Sequence, residues 1–175
     1  MFLETERLSI RRIVADDWPS IQKIFIDQES SVYACYDMPK DTSSEAVRNR
    51  IEKWASFENS SEHMFYAVCL ENVLIGYVAF NQREKGYEIG YCFHSQYQGK
   101  GYARESISAL IDSINKMTFC EFISAGTALL NTPSVKLLQS LGFKLTGTEK
   151  LSFYKDDEGE DIYFEGGIFE LDMRS

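Results

Sequence analysis

Glu88-Ile89-Gly90-Tyr91-Cys92-Phe93-His94 leads, after Ser95-Gln96-Tyr97, into Gln98-Gly99-Lys100-Gly101-Tyr102-Ala103-Arg104. The first segment reads as the end of a strand over residues 86–94. The second is a glycine-rich loop that opens a helix over about 102–116, with Ala103, Ile107, Leu110, Ile111 and Ile114 on one stripe. Glycines let successive backbone N–H groups point inward without side-chain obstruction. A helix start adds unpaired donors and a partial positive charge of roughly half a unit. Together they make a seat for a phosphate or pyrophosphate. An ordinary strand-to-helix turn needs one glycine, whereas this loop carries two and a small Ala103 beside them.

The residues alone leave the anion open. A Walker loop, G-x-x-x-x-G-K-[ST], is absent. A dinucleotide fingerprint needs a third glycine near position 104, where Arg104 stands. No G-x-S-x-G nucleophile elbow occurs.

Upstream of this stretch, Leu3 to Val14 reads as a strand interrupted at Thr5-Glu6-Arg7, with Leu8, Ile10 and Arg12 on one face. Asp16-Asp17 is expected to cap a helix carrying Trp18, Ile21, Ile24 and Phe25. After the break at Met38-Pro39, Thr42 or Ser43 opens a second helix through Val47, Ile51 and Trp54, with Glu45 placed for a capping box. Met64–Leu70 and Val73–Phe80 form a hairpin about Glu71-Asn72. Downstream come a strand over Phe119–Thr127, a short helix over Thr132–Leu141, and a hairpin of Phe143–Tyr154 with Ile162–Leu171. This order predicts an α/β or α+β domain built on a mixed sheet.

The 175 residues suit one domain, 1–175, with no repeat or linker to divide them. Nothing reads as a signal peptide or a membrane span, so a cytoplasmic protein without a membrane partner is expected. Four cysteines without a CxxC pair read as reduced thiols, and with only His63 and His94 in the chain no zinc or other metal site is expected. A net charge of −9 with no basic patch excludes nucleic acid as the primary partner. That acidity keeps the chain soluble and favours cationic partners.

Four blocks carry a family resemblance. Gln98-Gly99-Lys100-Gly101-Tyr102-Ala103 resembles the Q/R-x-x-G-x-G/A signature of the GNAT acetyltransferase superfamily. Glu4 to Arg11, Glu88-Ile89-Gly90-Tyr91, and Asn131-Thr132-Pro133-Ser134 with Leu141-Gly142-Phe143 resemble segments of its ribosomal-protein N-terminal (alanine) acetyltransferase branch. The blocks stand in the family's order and span nearly the whole chain.

The resemblance implies a GNAT-like fold, with a splayed mixed sheet of about seven strands and about four helices. It implies acetyl-CoA as donor, its pantetheine arm paired along the family's fourth strand at Tyr91, Cys92 and Phe93. The pyrophosphate would rest on the loop from Gln98 through Gly99, Lys100, Gly101, Tyr102 and Ala103 to Arg104, with Asn131 on the far side of the arm. The acceptor would be an amine, either a small cationic molecule or a protein N-terminus, and the protein a monomer or homodimer. A non-catalytic acyl-CoA-binding sensor shares the same motif and is the alternative.

For the chemistry, the amine must be deprotonated and the oxyanion must meet a donor. Glu88 is the candidate base, with a water-mediated route beside it, and a backbone N–H near Phe93 is the candidate donor. The acid tyrosine common in the family, seven residues after the asparagine, is replaced by Leu138; Ser134 is the substitute. Tyr33, Tyr36 and Met38 are expected to border the acceptor.

Overall fold

The structure, a computed structural model, describes residues 2–118 and 120–174. Its frame is an eight-stranded sheet in the order β1-β2-β3-β4-β5-β6-β8-β7. These strands are β1 (Phe2–Glu4), β2 (Leu8–Arg12), β3 (His63–Leu70), β4 (Val73–Arg83), β5 (Gly86–Phe93), β6 (Phe122–Ala128), β7 (Lys144–Lys155) and β8 (Asp161–Asp172). The extra strand over the expected seven comes from Thr5-Glu6-Arg7, which folds the opening segment back so that β1 pairs with β2. The expected strand start at Phe119 lies outside the described residues.

Four α-helices cover the sheet: α1 (Trp18–Glu29), α2 (Ser44–Ala55), α3 (Tyr102–Met117) and α4 (Thr132–Ser140). Ser43 caps α2 by accepting from the Ala46 N–H at 3.3 Å. With Ser43 as the cap, Glu45 falls one position short of the third helical residue, so no capping box closes. Asp17 precedes α1 without a side-chain cap bond. Its buried carboxylate is taken instead by Arg11, in two bonds of 2.7 Å, and by the Val14 N–H.

Strand alternation divides the apolar residues between two layers. Leu8, Ile10, Tyr66, Val78, Phe80 and Ile89 face α3, whose Ile107, Leu110 and Ile114 are fully buried. On the other face, Phe65, Tyr77 and Ala79 meet Ile21, Ile24 and Phe25 of α1 and Val47 and Ile51 of α2. Trp54 stacks on Phe65 at 4.7 Å between ring centres, part of this apolar layer. A fully buried isoleucine contributes about 1.5–3 kcal/mol, so either helical layer supplies far more than the caps do. Among the described residues, no helix is long and apolar enough to cross a membrane.

Candidate active site

β5 is antiparallel to β4 along its whole length, from Arg83 opposite Gly86 to Gly76 opposite Phe93. On its other side it meets β6 in parallel for three residues only, Gly86–Glu88 against Phe122–Ser124. β6 meanwhile keeps its ladder with β8 as far as Ala128 opposite Gly166. The two central strands therefore diverge after Glu88 and Ser124, and a slot opens between them.

The hydrogen-bond alternation of β5 says what faces that slot. His94 N–H donates to Ile75 O at 3.0 Å, so the even-numbered residues Cys92 and Gly90 turn their backbone groups toward β4. Those of Tyr91 and Phe93 turn the other way, into the slot. Gln98 supports this orientation by donating from Nε2 to the Phe93 carbonyl at 2.8 Å.

The slot ends on the glycine loop. Gly99 has φ +71° and Gly101 φ +84°, left-handed values that disfavour any side chain. Gly101 is the N-cap of α3 and carries no side-chain cap bond. The helical ladder starts with Glu105 N–H on Gly101 O at 3.0 Å, which leaves the N–H groups of Tyr102, Ala103 and Arg104 without helical acceptors. The Lys100 ammonium lies over the Tyr97 ring at 5.8 Å, and Arg104 Nε reaches Ser140 O at 3.5 Å.

Long-range contacts brace this loop. Asp27 of α1 accepts from both N–H and Oγ of Ser95, at 2.7 and 2.6 Å, at the exit of β5. From the bend between β1 and β2, Arg7 donates from NH1 to Lys100 O at 3.0 Å and from Nε to Glu105 Oε2 at 2.7 Å. Glu105 Oε1 also accepts from Thr5 Oγ1 at 2.6 Å and from Arg7 N at 3.0 Å. Burial raises the Glu105 carboxyl, but the bonds from Thr5 and Arg7 outweigh it and hold the group below the usual range. Sequence reading assigned no role to Arg7, Glu105 or Asp27. The only trace was that Thr5-Glu6-Arg7 belonged to a recognisable block.

Of the predicted catalytic pair, Ser134 stands in the first turn of α4, its Oγ 2.8 Å from Tyr91 OH across the mouth of the slot. Asn131 caps α4, accepting from Ser134 N–H at 3.3 Å. Leu138 is buried among the core residues at 1% exposure. Glu88 lies on the opposite face of the sheet, about half exposed and ion-paired with Arg83, whose Nε is 2.9 Å from it. It is therefore not brought together with Ser134.

Cys92 shares the Glu88 face and points toward α1, where its Sγ donates to Gln28 Oε1 at 3.5 Å. Burial pushes its thiol up to about 12, Lys40 pulls it down, and Asp37 and Asp27 push it up. Just beyond is a cleft of about 310 Å³ lined by Phe25, Gln28, Asp37, Met38, Lys40 and Tyr154, among others. Met38 borders this cleft. Tyr36 packs on Phe164 of β8 at 5.2 Å and so ties the loop after α1 to the last hairpin. A smaller hollow of about 200 Å³ lies around the β4–β5 turn, at the other end of β5 from the glycine loop. Among the described residues, no group of three or more His, Cys, Asp or Glu side chains is arranged to hold a metal ion.

A splayed strand pair ending on a glycine loop and a helix start is the arrangement the motif resemblance implied. The family model for the acetyltransferase (GNAT) domain matches residues 7–144. The chain belongs to the GNAT acetyltransferase family. It is an acetyl-CoA-dependent N-acetyltransferase. An uncharacterized N-acetyltransferase of Bacillus licheniformis, p20, is 31% identical over 92% of each chain. The crystal structure of a GNAT-family acetyltransferase from Bacillus anthracis is 26% identical over the full length of both chains, with a TM-score of 0.80. That of a ribosomal-protein-S5-alanine acetyltransferase from Vibrio fischeri, at 21% identity, covers 100% of this chain and 98% of its own with a TM-score of 0.83. The last is a likeness of fold.

Within the GNAT frame β5 is the strand that the sequence resemblance numbered fourth, because the opening strand is split in two.

Proposed function

We propose that this GNAT enzyme transfers acetyl from acetyl-CoA directly to a primary amine, with the donor in the β5–β6 slot and the acceptor entering from the α1 side. The reading rests on one observation above all: beyond Glu88, Tyr91 and Phe93 turn backbone groups that no neighbouring strand pairs into a slot that ends on three helix N–H groups without helical acceptors. The pantetheine amides extend β5 as an added strand, and the diphosphate rests on the loop from Gln98 to Arg104. The amine nitrogen then attacks the thioester carbon, the N–C bond forms, the C–S bond breaks, and CoA leaves as thiolate. The N–H near Phe93 stabilises the oxyanion. Glu88 takes the proton of the attacking amine, directly or through a water. Ser134 donates a hydrogen bond to the departing sulfur.

The cleft beside Cys92 carries two carboxylates, Asp37 and Glu29, against one ammonium, Lys40, a balance that suits a cationic acceptor, and is sized for a small amine or the end of a peptide. The Vibrio fischeri fold neighbour acts on a ribosomal-protein alanine by its description. A protein α-amine therefore stands with small cationic amines in the acceptor class proposed here.

Thermal unfolding with acetyl-CoA, CoA, NAD and ATP in parallel tests the donor site. A ligand at ~100 times its Kd adds about 2.7 kcal/mol, or roughly 5–10 °C for a domain of this size. A rise with acetyl-CoA and CoA alone is expected, followed by acetyl-CoA consumption with an amine panel. A rise with NAD or ATP instead would overturn the assignment of the loop.

A further inference from the structure

We infer that Arg7 is a positioning residue for the donor's diphosphate, acting through Lys100 and Glu105 rather than by touching the cofactor. This inference rests on the diphosphate seat proposed above and names the device that keeps it in shape. Arg7 lies in the bend between β1 and β2, 98 residues away in sequence from Glu105. Each nitrogen of its guanidinium has a protein partner: NH1 holds the Lys100 carbonyl, Nε and NH2 hold Glu105 Oε2, and the group lies 4.5 Å above the Tyr102 ring. With its charge met by Glu105 and one donor of each nitrogen directed at a protein oxygen, it acts on the loop through these partners.

Two consequences follow for the anion seat. The Lys100 carbonyl sits between Gly99 and Gly101, the two left-handed residues. Holding that oxygen outward keeps the adjoining N–H groups turned inward. Glu105 is a carboxylate in the first turn of α3, where the helix field that would attract a diphosphate also attracts it. Arg7 cancels that charge on the outer side, and Thr5 completes the clamp on Glu105. An α3 start carrying an uncompensated carboxylate would repel the ligand it is built to receive.

The test compares two donors in steady-state kinetics: acetyl-CoA, and S-acetylpantetheine, which lacks the diphosphate. Arg7→Ala is expected to raise KM for acetyl-CoA roughly 10- to 100-fold, the cost of one charged hydrogen-bonded contact, with kcat nearly unchanged. Its kcat/KM toward S-acetylpantetheine should match that of the parent, which also shows that the variant is folded. Glu105→Ala added to Arg7→Ala removes the uncompensated carboxylate and should bring KM for acetyl-CoA below that of Arg7→Ala alone, again sparing the short donor. Arg7→Lys, which cannot hold Glu105 and Lys100 together, should fall between parent and Arg7→Ala. Equal losses with both donors, or a fall in kcat at constant KM, would overturn the inference. Failure of the parent enzyme to distinguish the two donors would instead strike at the diphosphate seat itself.

Discussion

Tyr91 OH lies 2.8 Å from Ser134 Oγ, joining the open edge of β5 to the first turn of α4. Burial raises the Tyr91 phenol to about 12, and the bond to Ser134 acts in the opposite direction. A phenol with that pKa stays protonated at neutral and mildly alkaline pH. It therefore serves as a hydrogen-bond partner that fixes where the serine proton points, and not as a titrating acid. Leu138 leaves the family's usual tyrosine position apolar, so this pair is the hydroxyl arrangement available at the slot.

Ser134→Ala is expected to lower kcat about 10-fold and Tyr91→Phe about 3- to 10-fold, with the double variant no worse than Ser134→Ala. Such non-additivity marks two groups acting as a unit. Because the Tyr91 pKa is raised, no alkaline fall in rate from this group is expected below about pH 11. Tyr91→Phe should lower the amplitude of the pH–rate profile and leave its shape alone. Additive losses, or a limb that vanishes in Tyr91→Phe, would separate the two residues.

Gly101 stands at φ +84°, and a Cβ there would also approach Arg7 NH2 at 3.3 Å. A non-glycine residue in the left-handed region costs roughly 1–2 kcal/mol, or about 2–8 °C in Tm here. Gly101→Ala should show that loss together with weaker acetyl-CoA binding. Gly101→Glu adds bulk and negative charge and should abolish binding. Normal acetyl-CoA affinity in Gly101→Glu, read by calorimetry, would show that the diphosphate lies elsewhere.

The features legible in the sequence are those set by short-range patterns. The period-two runs of β3 to β5, the helical stripe of α3 and the two glycines each follow from residues within a few positions of one another. The clamp of Arg7 on Glu105 has no such signature, because it arises only when the β1–β2 bend is folded against α3. Asp17 shows the same limit. Its position before α1 suggested a helix cap, yet a guanidinium on the adjoining strand offers two charged bonds where a cap offers one neutral donor. The placement of Glu88 and Ser134 on opposite faces follows from odd and even positions along β5, with α4 lying on the α3 side. Their assignment to one reaction therefore needs the acetyl carbon to lie in the slot between the two faces.

Glu88→Gln is expected to lower kcat about 10- to 100-fold while acetyl-CoA affinity, by calorimetry, stays within about 2-fold of the parent. Glutamine keeps the size and a hydrogen-bonding oxygen but cannot take a proton. Arg83→Ala separates the effects further, since it frees the carboxylate without removing it. Unchanged turnover in Glu88→Gln would remove Glu88 from the mechanism and leave deprotonation to water.

Cys92 tests whether transfer is direct. Its thiol is raised from an ordinary 9.0 to about 12, chiefly by burial. A raised pKa leaves less thiolate at a given pH, and the thiolate is the reactive form. At pH 8 a shift of this size cuts the thiolate fraction by roughly 10³, from about one in ten to about one in ten thousand. Cys69 and Cys120 are likewise raised by burial, whereas Cys35 is exposed. Native protein treated with a thiol reagent at pH 8 should therefore label rapidly at Cys35 and slowly at the other three, with all four labelling once unfolded. The same mass analysis after incubation with acetyl-CoA should find no acetyl group on Cys92. Rapid labelling of Cys92, or an acetyl thioester on it that an added amine discharges, would replace direct attack with a two-step transfer through this cysteine.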